Sequence, residues 1–303
     1  MLVLSVNLQN AEGNANSNPG YEMTLSKVES RLNIASKMLE TVKRELRNDL
    51  KQLCQNGSCH VISTGCSPWR RSYIDTKPRD CSDIYNDGNR RSGIYQIWPQ
   101  SKISNGSFHV YCDMEDGGGW TVIQRRGDFG NSIIYFYLGW DAYKSGFGHL
   151  LREFWIGNDN LFSLTNQRPY QLKVDLTDWE QNSKYAIYQE FWVDDEVHNY
   201  TLHIKEYNGT AGDSLKRQNG SEFSAKDKDN DNNPDANCAE SFIGAWWYNG
   251  CMDSNLNGMY LGTTITAYGK GVVWQTFNGF SYSHKDSVMK IRPADFETNN
   301  IIT

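Results

Sequence analysis

A chain of 303 residues with a formal net charge of -6 and 38% hydrophobic residues exceeds the usual size of one domain, so a globular unit plus an accessory segment is expected. The acidic balance excludes the concentrated basic face of a nucleic-acid binder. Ten Trp, seventeen Tyr and twelve Phe exclude a disordered chain, because each ring can remove much apolar area from water.

Residues 1–20 are polar and rich in Asn and Gly, and Pro19-Gly20 closes them as a flexible lead-in. The opening Met1 to Leu8 lacks the basic start and long apolar stretch of a complete signal peptide, and reads as a remnant of one. Over 21–53, Leu25, Val28, Leu32, Ala35, Leu39, Val42, Leu46 and Leu53 recur in steps of three and four, with Asp49 at one seam position and no Gly or Pro. This predicts an amphipathic helix and a coiled coil that makes the protein a homo-oligomer; packing of that helix on the domain's own surface stays open. Residues 54–77 hold Cys54, Cys59 and Cys66 without helical or strand period, and read as a linker.

From 78 to 303 the chain turns aromatic and Gly-rich. Alternation over 119–124, 170–175 and 188–193 predicts strands, and 145–154 and 214–218 are placed as short helices. The 207–262 region, dominated by Asn, Asp, Gly and Ser, predicts a loop-built subdomain, since these residues favour turns. The fold class is therefore α+β. Seven Cys without a CxxC pair read as disulfides rather than a redox or zinc motif. With sequons at Asn56, Asn105, Asn199, Asn208 and Asn219, they predict a secreted, extracellular glycoprotein. No apolar run approaches the roughly 20 residues that span a bilayer, so no membrane span is expected.

The densest chemical signal is Asp227-Lys-Asp229-Asn-Asp231, followed by Asn233 and Asp235. Closely spaced carboxylates and turn carbonyls supply the oxygens that Ca2+ needs. An EF-hand is excluded, because its sixth and twelfth positions hold Asn232 and Cys238 instead of Gly and Glu. A merely solvated acidic loop is the alternative. Cys238 and Cys251 enclose an aromatic segment with Trp246, Trp247 and Tyr248, readable as a recognition loop or as the core of the subdomain. Enzyme signatures are absent: the six His are scattered, His198 and His203 do not form HExxH, and no Gly-x-Ser-x-Gly occurs. Gly117-Gly-Gly119 reads as a tight turn, and Arg126-Gly-Asp128 as a chance adhesion tripeptide.

The ordered set Arg79-Asp-Cys81, Cys112-Asp-Met-Glu-Asp-Gly-Gly-Gly-Trp-Thr-Val-Ile-Gln-Arg-Arg126, Glu153-Phe-Trp-Ile-Gly-Asn-Asp-Asn160, Ala211-Gly-Asp-Ser-Leu215, Asn255-Leu-Asn-Gly258 and Met289-Lys-Ile-Arg-Pro293 resembles the fibrinogen-related domain. The resemblance runs from about Pro78 to Phe296 and is strongest to the ficolins and to the tachylectin and techylectin lectins. It implies a fibrinogen C-terminal-like globular domain, with a central antiparallel sheet and a loop-rich calcium and ligand subdomain, behind the short coiled coil. It also implies the pairs Cys81–Cys112 and Cys238–Cys251. Cys54, Cys59 and Cys66 then remain for interchain bridges.

For the site, the resemblance implies Ca2+ on Asp229 and Asp231 with help from Asn233 and Asp235. An acetyl-binding pocket would lie beside a cis peptide at Gly250-Cys251, walled by Phe242, Tyr268 and Phe280 with Gly269 as the small residue. Met252 stands where acetyl-binding members commonly have His, and can fill an apolar cup flexibly. The function implied is a secreted, calcium-dependent, lectin-like pattern-recognition protein of innate immunity for acetylated carbohydrate. The alternative is a non-lectin protein ligand or matrix component, like the angiopoietins, tenascins or fibrinogen.

Overall fold

The computed structural model describes residues 77–100, 106–130, 135–262, 264 and 267–297. The lead-in, the coiled coil over 21–53, Cys54, Cys59 and Cys66, and the sequons at Asn56 and Asn105 lie outside the described residues.

The domain begins at a polar clamp. Asp80 caps helix α1 (Cys81–Asn86), its Oδ1 accepting from the Ser82 and Asp83 N–H groups, which would otherwise lack partners in the first turn. Its Oδ2 accepts from Arg168 at 2.5 Å and from the Tyr170 hydroxyl, which ties the start of the domain to strand β6. Cys81 is joined to Cys112.

A nine-stranded antiparallel sheet follows. Its main path runs β1 (Gly93–Ile97), β2 (Phe108–Asp113), β3 (Trp120–Arg126), β11 (Asp286–Pro293), β6 (Tyr170–Thr177), β7 (Ser183–Val193) and β8 (Leu202–Gly209). Short strands β4 (Phe147–Gly148) and β5 (Phe154–Trp155) continue from the far end of β3. The end of the chain thus lies in mid-sheet: β11 pairs Lys290 with Lys173 of β6 on one side and with Val122 of β3 on the other. Alternation makes the core here. Leu172, Val174 and Leu176 of β6 are buried with Ala186 and Tyr188 of β7 and Met289 and Ile291 of β11. Full burial of each such side chain contributes about 1.5–3 kcal/mol.

The sequence-predicted strands match β3, β6 and β7, and the glycine run 117–119 forms a turn with Gly118 N–H donating to Glu115 O. The helix expected over 145–154 is not formed. Helix α2 instead spans Trp140–Ser145, and Gly146 and Gly148 turn the chain at φ +88° and +94° into β4. Two such angles break a helix and suit glycine. The start of α2 is fixed from far away, by Asp227 Oδ1 accepting the Trp140 N–H at 2.8 Å. The expectation over 214–218 corresponds to one 3-10 turn, Lys216–Gln218.

Arg126, at the end of β3, is 1% exposed and pairs with Glu153 at 3.0 Å. Its Nη1 donates to Leu256 O and Gly258 O at 3.0 and 2.7 Å, which binds the loop-built part of the domain to the sheet. The Arg126-Gly-Asp128 tripeptide therefore presents no free guanidinium for adhesion.

Candidate functional site

The acidic loop is built from turns closed by its own side chains. Asp229 Oδ1 accepts the Asp231 N–H at 3.2 Å, Asp231 Oδ1 that of Asn233 at 2.7 Å, and Asn233 Oδ1 that of Asp235 at 3.1 Å. Such Asx turns follow from the Asx at every second position. Asp231 Oδ2 also accepts the Cys238 N–H at 2.8 Å, and Asn237 caps helix α3 (Cys238–Ser241). Asp227 is spent on α2.

Asp229 and Asp231 lie side by side, and burial first, with the charge of Asp229, pushes the Asp231 carboxyl up, against the lowering effect of the N–H groups of Cys238 and Asn233. Two adjacent carboxylates that repel each other fit a hard divalent cation. Among the described residues no group of three or more His, Cys, Asp or Glu is placed to hold a metal ion by side chains alone. A cation here would complete its shell from main-chain carbonyls and water. The Asn233 amide turns away from the carboxylates, 3.9 and 3.7 Å from the sulfurs of Cys238 and Cys251, and Asp235 is exposed.

Cys238 and Cys251 are bonded, and the Gly250-Cys251 peptide is cis. Beyond it Met252 is buried. Gly269, at φ +74°, places its backbone directly against Met252 and Phe242: an added Cβ would lie 2.5 Å from Met252 Cε and from Phe242 Cδ1. Asn255, wholly buried in β9 (Ser254–Asn255), joins these loops. Its Nδ2 donates to Phe242 O and Gly269 O at 3.1 and 3.0 Å, and its Oδ1 accepts the Tyr248 hydroxyl. The Gly269 N–H donates to Phe280 O at 2.8 Å, and the Phe280 and Tyr268 rings lie 4.7 Å apart. Tyr268 is 59% exposed.

Phe242, Met252, Tyr268, Gly269 and Phe280, separated in sequence, thus come together around Gly269. In the chain leading to Met252, the main-chain N–H groups of Gly250, Cys251 and Met252 donate to no acceptor among the described residues. Trp246, Trp247 and Tyr248 are not part of this group: all three are buried, with Trp247 packed on Trp155 and Phe223. They are the core of the subdomain.

Sequence reasoning missed Arg217 and Asn249, and the role of Asn255, which hold the loops around 249–252, Phe242 and Gly269 by hydrogen bonds to main-chain carbonyls. The motif 255–258 pointed to Asn255, and only the Asn-rich composition of the region to Asn249. A separate cleft of about 390 Å³ between Thr165–Tyr170 and Glu190–Trp192 has its polar groups engaged: Arg168 on Asp80, Asn166 on Phe162 O and Val193 O, Gln167 on Tyr170. Of the described sequons, Asn208 and Asn219 are exposed and Asn199 is half-buried with its amide on Glu222. No helix among the described residues is long and apolar enough to cross a membrane.

Comparison with known proteins places these features. The family model for the C-terminal globular domain of fibrinogen beta and gamma chains matches residues 77–294. Techylectin-5A of Tachypleus tridentatus is 44% identical over 279 residues, covering 91% of this chain and 92% of that protein. Fibrinogen-like protein 1 of Homo sapiens is 44% identical over 290 residues, covering 89% and 90%. Among solved structures, the fibrinogen-like globe domain of human ANGPTL2 superposes with a TM-score of 0.68 at 41% identity, covering 72% of this chain and 99% of that one.

Proposed function

The chain belongs to the family of the C-terminal globular domain of fibrinogen beta and gamma chains, and from that premise we propose that it is a secreted, calcium-dependent lectin that binds acetylated glycans on microbial surfaces. Like its fibrinogen-like relatives, it is not an enzyme. The observation that carries the reading is the gathering of Phe242, Met252, Tyr268 and Phe280 around Gly269, with N–H groups at 250–252 that donate to no acceptor among the described residues. An acetyl group needs both: its methyl leaves water among Phe242, Met252, Tyr268 and Phe280, and its carbonyl oxygen takes a hydrogen bond from the 250–252 main chain. Met252 supplies apolar surface where an imidazole would supply a polar contact, which favours acetyl groups on less polar neighbours.

Ca2+ would cancel the repulsion between Asp229 and Asp231 and order the loop packed on the disulfide. Asn233 and Asp235 would contribute main-chain oxygens or water contacts rather than their side chains. A single shallow sugar site is weak, so a homo-oligomer through residues 21–53 would gain avidity on a surface bearing many sugars. The similarity to a techylectin supports a carbohydrate ligand.

The test is retention of the intact, oxidised protein on immobilised N-acetylglucosamine. Retention in CaCl2, release by chelator or free N-acetylglucosamine, and no release by glucose are expected. Passage through the column in the presence of calcium overturns the reading. A second reading, an extracellular protein ligand without sugar binding, is favoured by equal identity to fibrinogen-like protein 1 and by Met252. Failure on the sugar column together with saturable binding to mammalian cells pretreated to remove their glycans would favour it.

A further inference from the structure

The acidic loop and the ligand loop 249–252 are separate stretches of chain, tied by the Cys238–Cys251 bridge and by Asn233 Nδ2 at 3.7 Å from Cys251 Sγ, and one side-chain amide adds a hydrogen-bonded link between them. Asn249 Oδ1 accepts from Asn232 Nδ2 of the acidic loop at 2.5 Å. Asn249 Nδ2 donates to Arg217 O at 2.7 Å. Arg217, from the 3-10 turn Lys216–Gln218, answers with its side chain: Nε donates to Asn249 O at 2.8 Å and Nη2 to Gly250 O at 2.9 Å, while Nη1 lies 3.5 Å from Asp253 Oδ1. Two successive carbonyls of the ligand loop are thus pinned by one planar fork, a geometry that a guanidinium can provide and an ammonium cannot.

Resting on the reading above, we propose that Asn232, Asn249 and Arg217 form the bracket through which the cation loop sets the shape of the ligand loop. Asn249 is its joint, since both ends of its amide are used, one toward each side. Asn232 is its input, because it is next to Asp231 and moves with the turns that Asp229 and Asp231 close. Arg217 is its positioning residue: by holding the carbonyls of Asn249 and Gly250, it fixes the planes of the peptides that carry the next N–H groups. When a cation orders the acidic loop, the Asn232 amide is fixed, and the bracket carries that order across to 249–252. Without the bracket the cation still binds, and only the weaker route through Asp231, Cys238 and the disulfide reaches 251.

The experiment is hydrogen exchange of the segment 246–254 in the intact protein, with and without CaCl2. Wild type is compared with Asn249→Ala and with Arg217→Lys, which keeps the charge and loses the fork. Calcium should slow exchange of this segment by about tenfold in wild type and by less than about twofold in either variant. Calcium affinity by calorimetry should stay within about threefold of wild type in all three proteins, and unchanged near-ultraviolet circular dichroism checks that they fold. Full calcium protection in the variants overturns the proposal. So does absence of calcium uptake by wild type, a calcium-insensitive segment in wild type, or a calcium affinity more than about tenfold weaker in the variants, which would make these residues part of the cation site itself.

The N-acetylglucosamine column separates this proposal from the functional one. Calcium protection that depends on the bracket in a protein the column does not retain leaves the bracket standing and removes the sugar. Retention with unchanged protection in the variants does the reverse.

Discussion

Across β3, β11, β6 and β7 the structure is carried by main-chain ladders and by alternating apolar side chains. Between Gly212 and His284 ladders are few and short, and side-chain amides and hydroxyls take over their task. Asn237 caps a helix, Asn255 and Asn257 donate to the carbonyls of Phe242, Gly269 and Ala245, and Ser283 Oγ accepts from Val272 N–H. The sheet region therefore tolerates polar change wherever its core is spared. In the loop region, buried polar residues hold the backbone, and each deletion leaves a carbonyl or N–H unpaired.

The junction of the two regions should be the most sensitive place. Arg126→Ala is expected to cost about 3–5 kcal/mol, because it removes the buried ion pair to Glu153 and the donor to Gly258 O, and leaves Leu256 O with Gln124 Nε2 alone of its two side-chain donors. Urea unfolding measures it, and a loss below about 1 kcal/mol would mean that the two regions do not depend on this contact.

Acid should act on the loop region through His284. Its ring is wholly buried beside Phe277 and Tyr282, and neither nitrogen makes a hydrogen bond, although the Trp274 main chain lies near. Burial holds its pKa down to about 4, with Lys184 lowering it further and Asp178 opposing. The unfolded chain takes up this proton near about 6.5. The contribution of His284 to stability is thus fully present above about 6.5, and falls by about 3 kcal/mol as the pH drops to about 4. His284→Leu should flatten that part of the pH profile in denaturant titrations.

Asn255→Ala should cost about 2–3 kcal/mol, since it unpairs Phe242 O, Gly269 O and the Tyr248 hydroxyl in one change. An equivalent exposed amide such as Asn208→Ala should stay within about 0.5 kcal/mol. Thermal unfolding of the pair contrasts the buried and solvent-facing roles of the same residue type.

Gly269→Ala should cost about 1–2 kcal/mol, from a side chain placed at positive φ against Met252 and Phe242. Its effect on the proposed ligand site should be larger than on the fold. Retention on N-acetylglucosamine should be lost while the unfolding midpoint moves by only a few degrees.

The same contrast explains what was legible in the sequence. β6 and β7 alternate, and a period of two is a local signal, whereas β3 is buried on both faces and was legible as a short apolar run. The start of α2 was misplaced because the residue that fixes it, Asp227, is distant in the chain, and its end because Gly146 and Gly148 act as turn glycines inside a stretch otherwise apolar enough for a helix. Both expected disulfides are formed, and Phe242, Met252, Tyr268, Gly269 and Phe280 do converge, which the resemblance implied and periodicity did not. Arg217 and Asn249 were illegible, and Asn255 was visible as a motif residue without its role, for a physical reason: an Asn or Arg that bonds a distant carbonyl leaves no pattern in its own neighbourhood.

The most direct measurement is calorimetric titration of N-acetylglucosamine into the intact protein in CaCl2, in chelator, and in the Asp229→Asn, Asp231→Asn double variant. Saturable binding in calcium that disappears both in chelator and in the variant is the predicted result. Binding of equal strength in all three, or none in calcium, would contradict it.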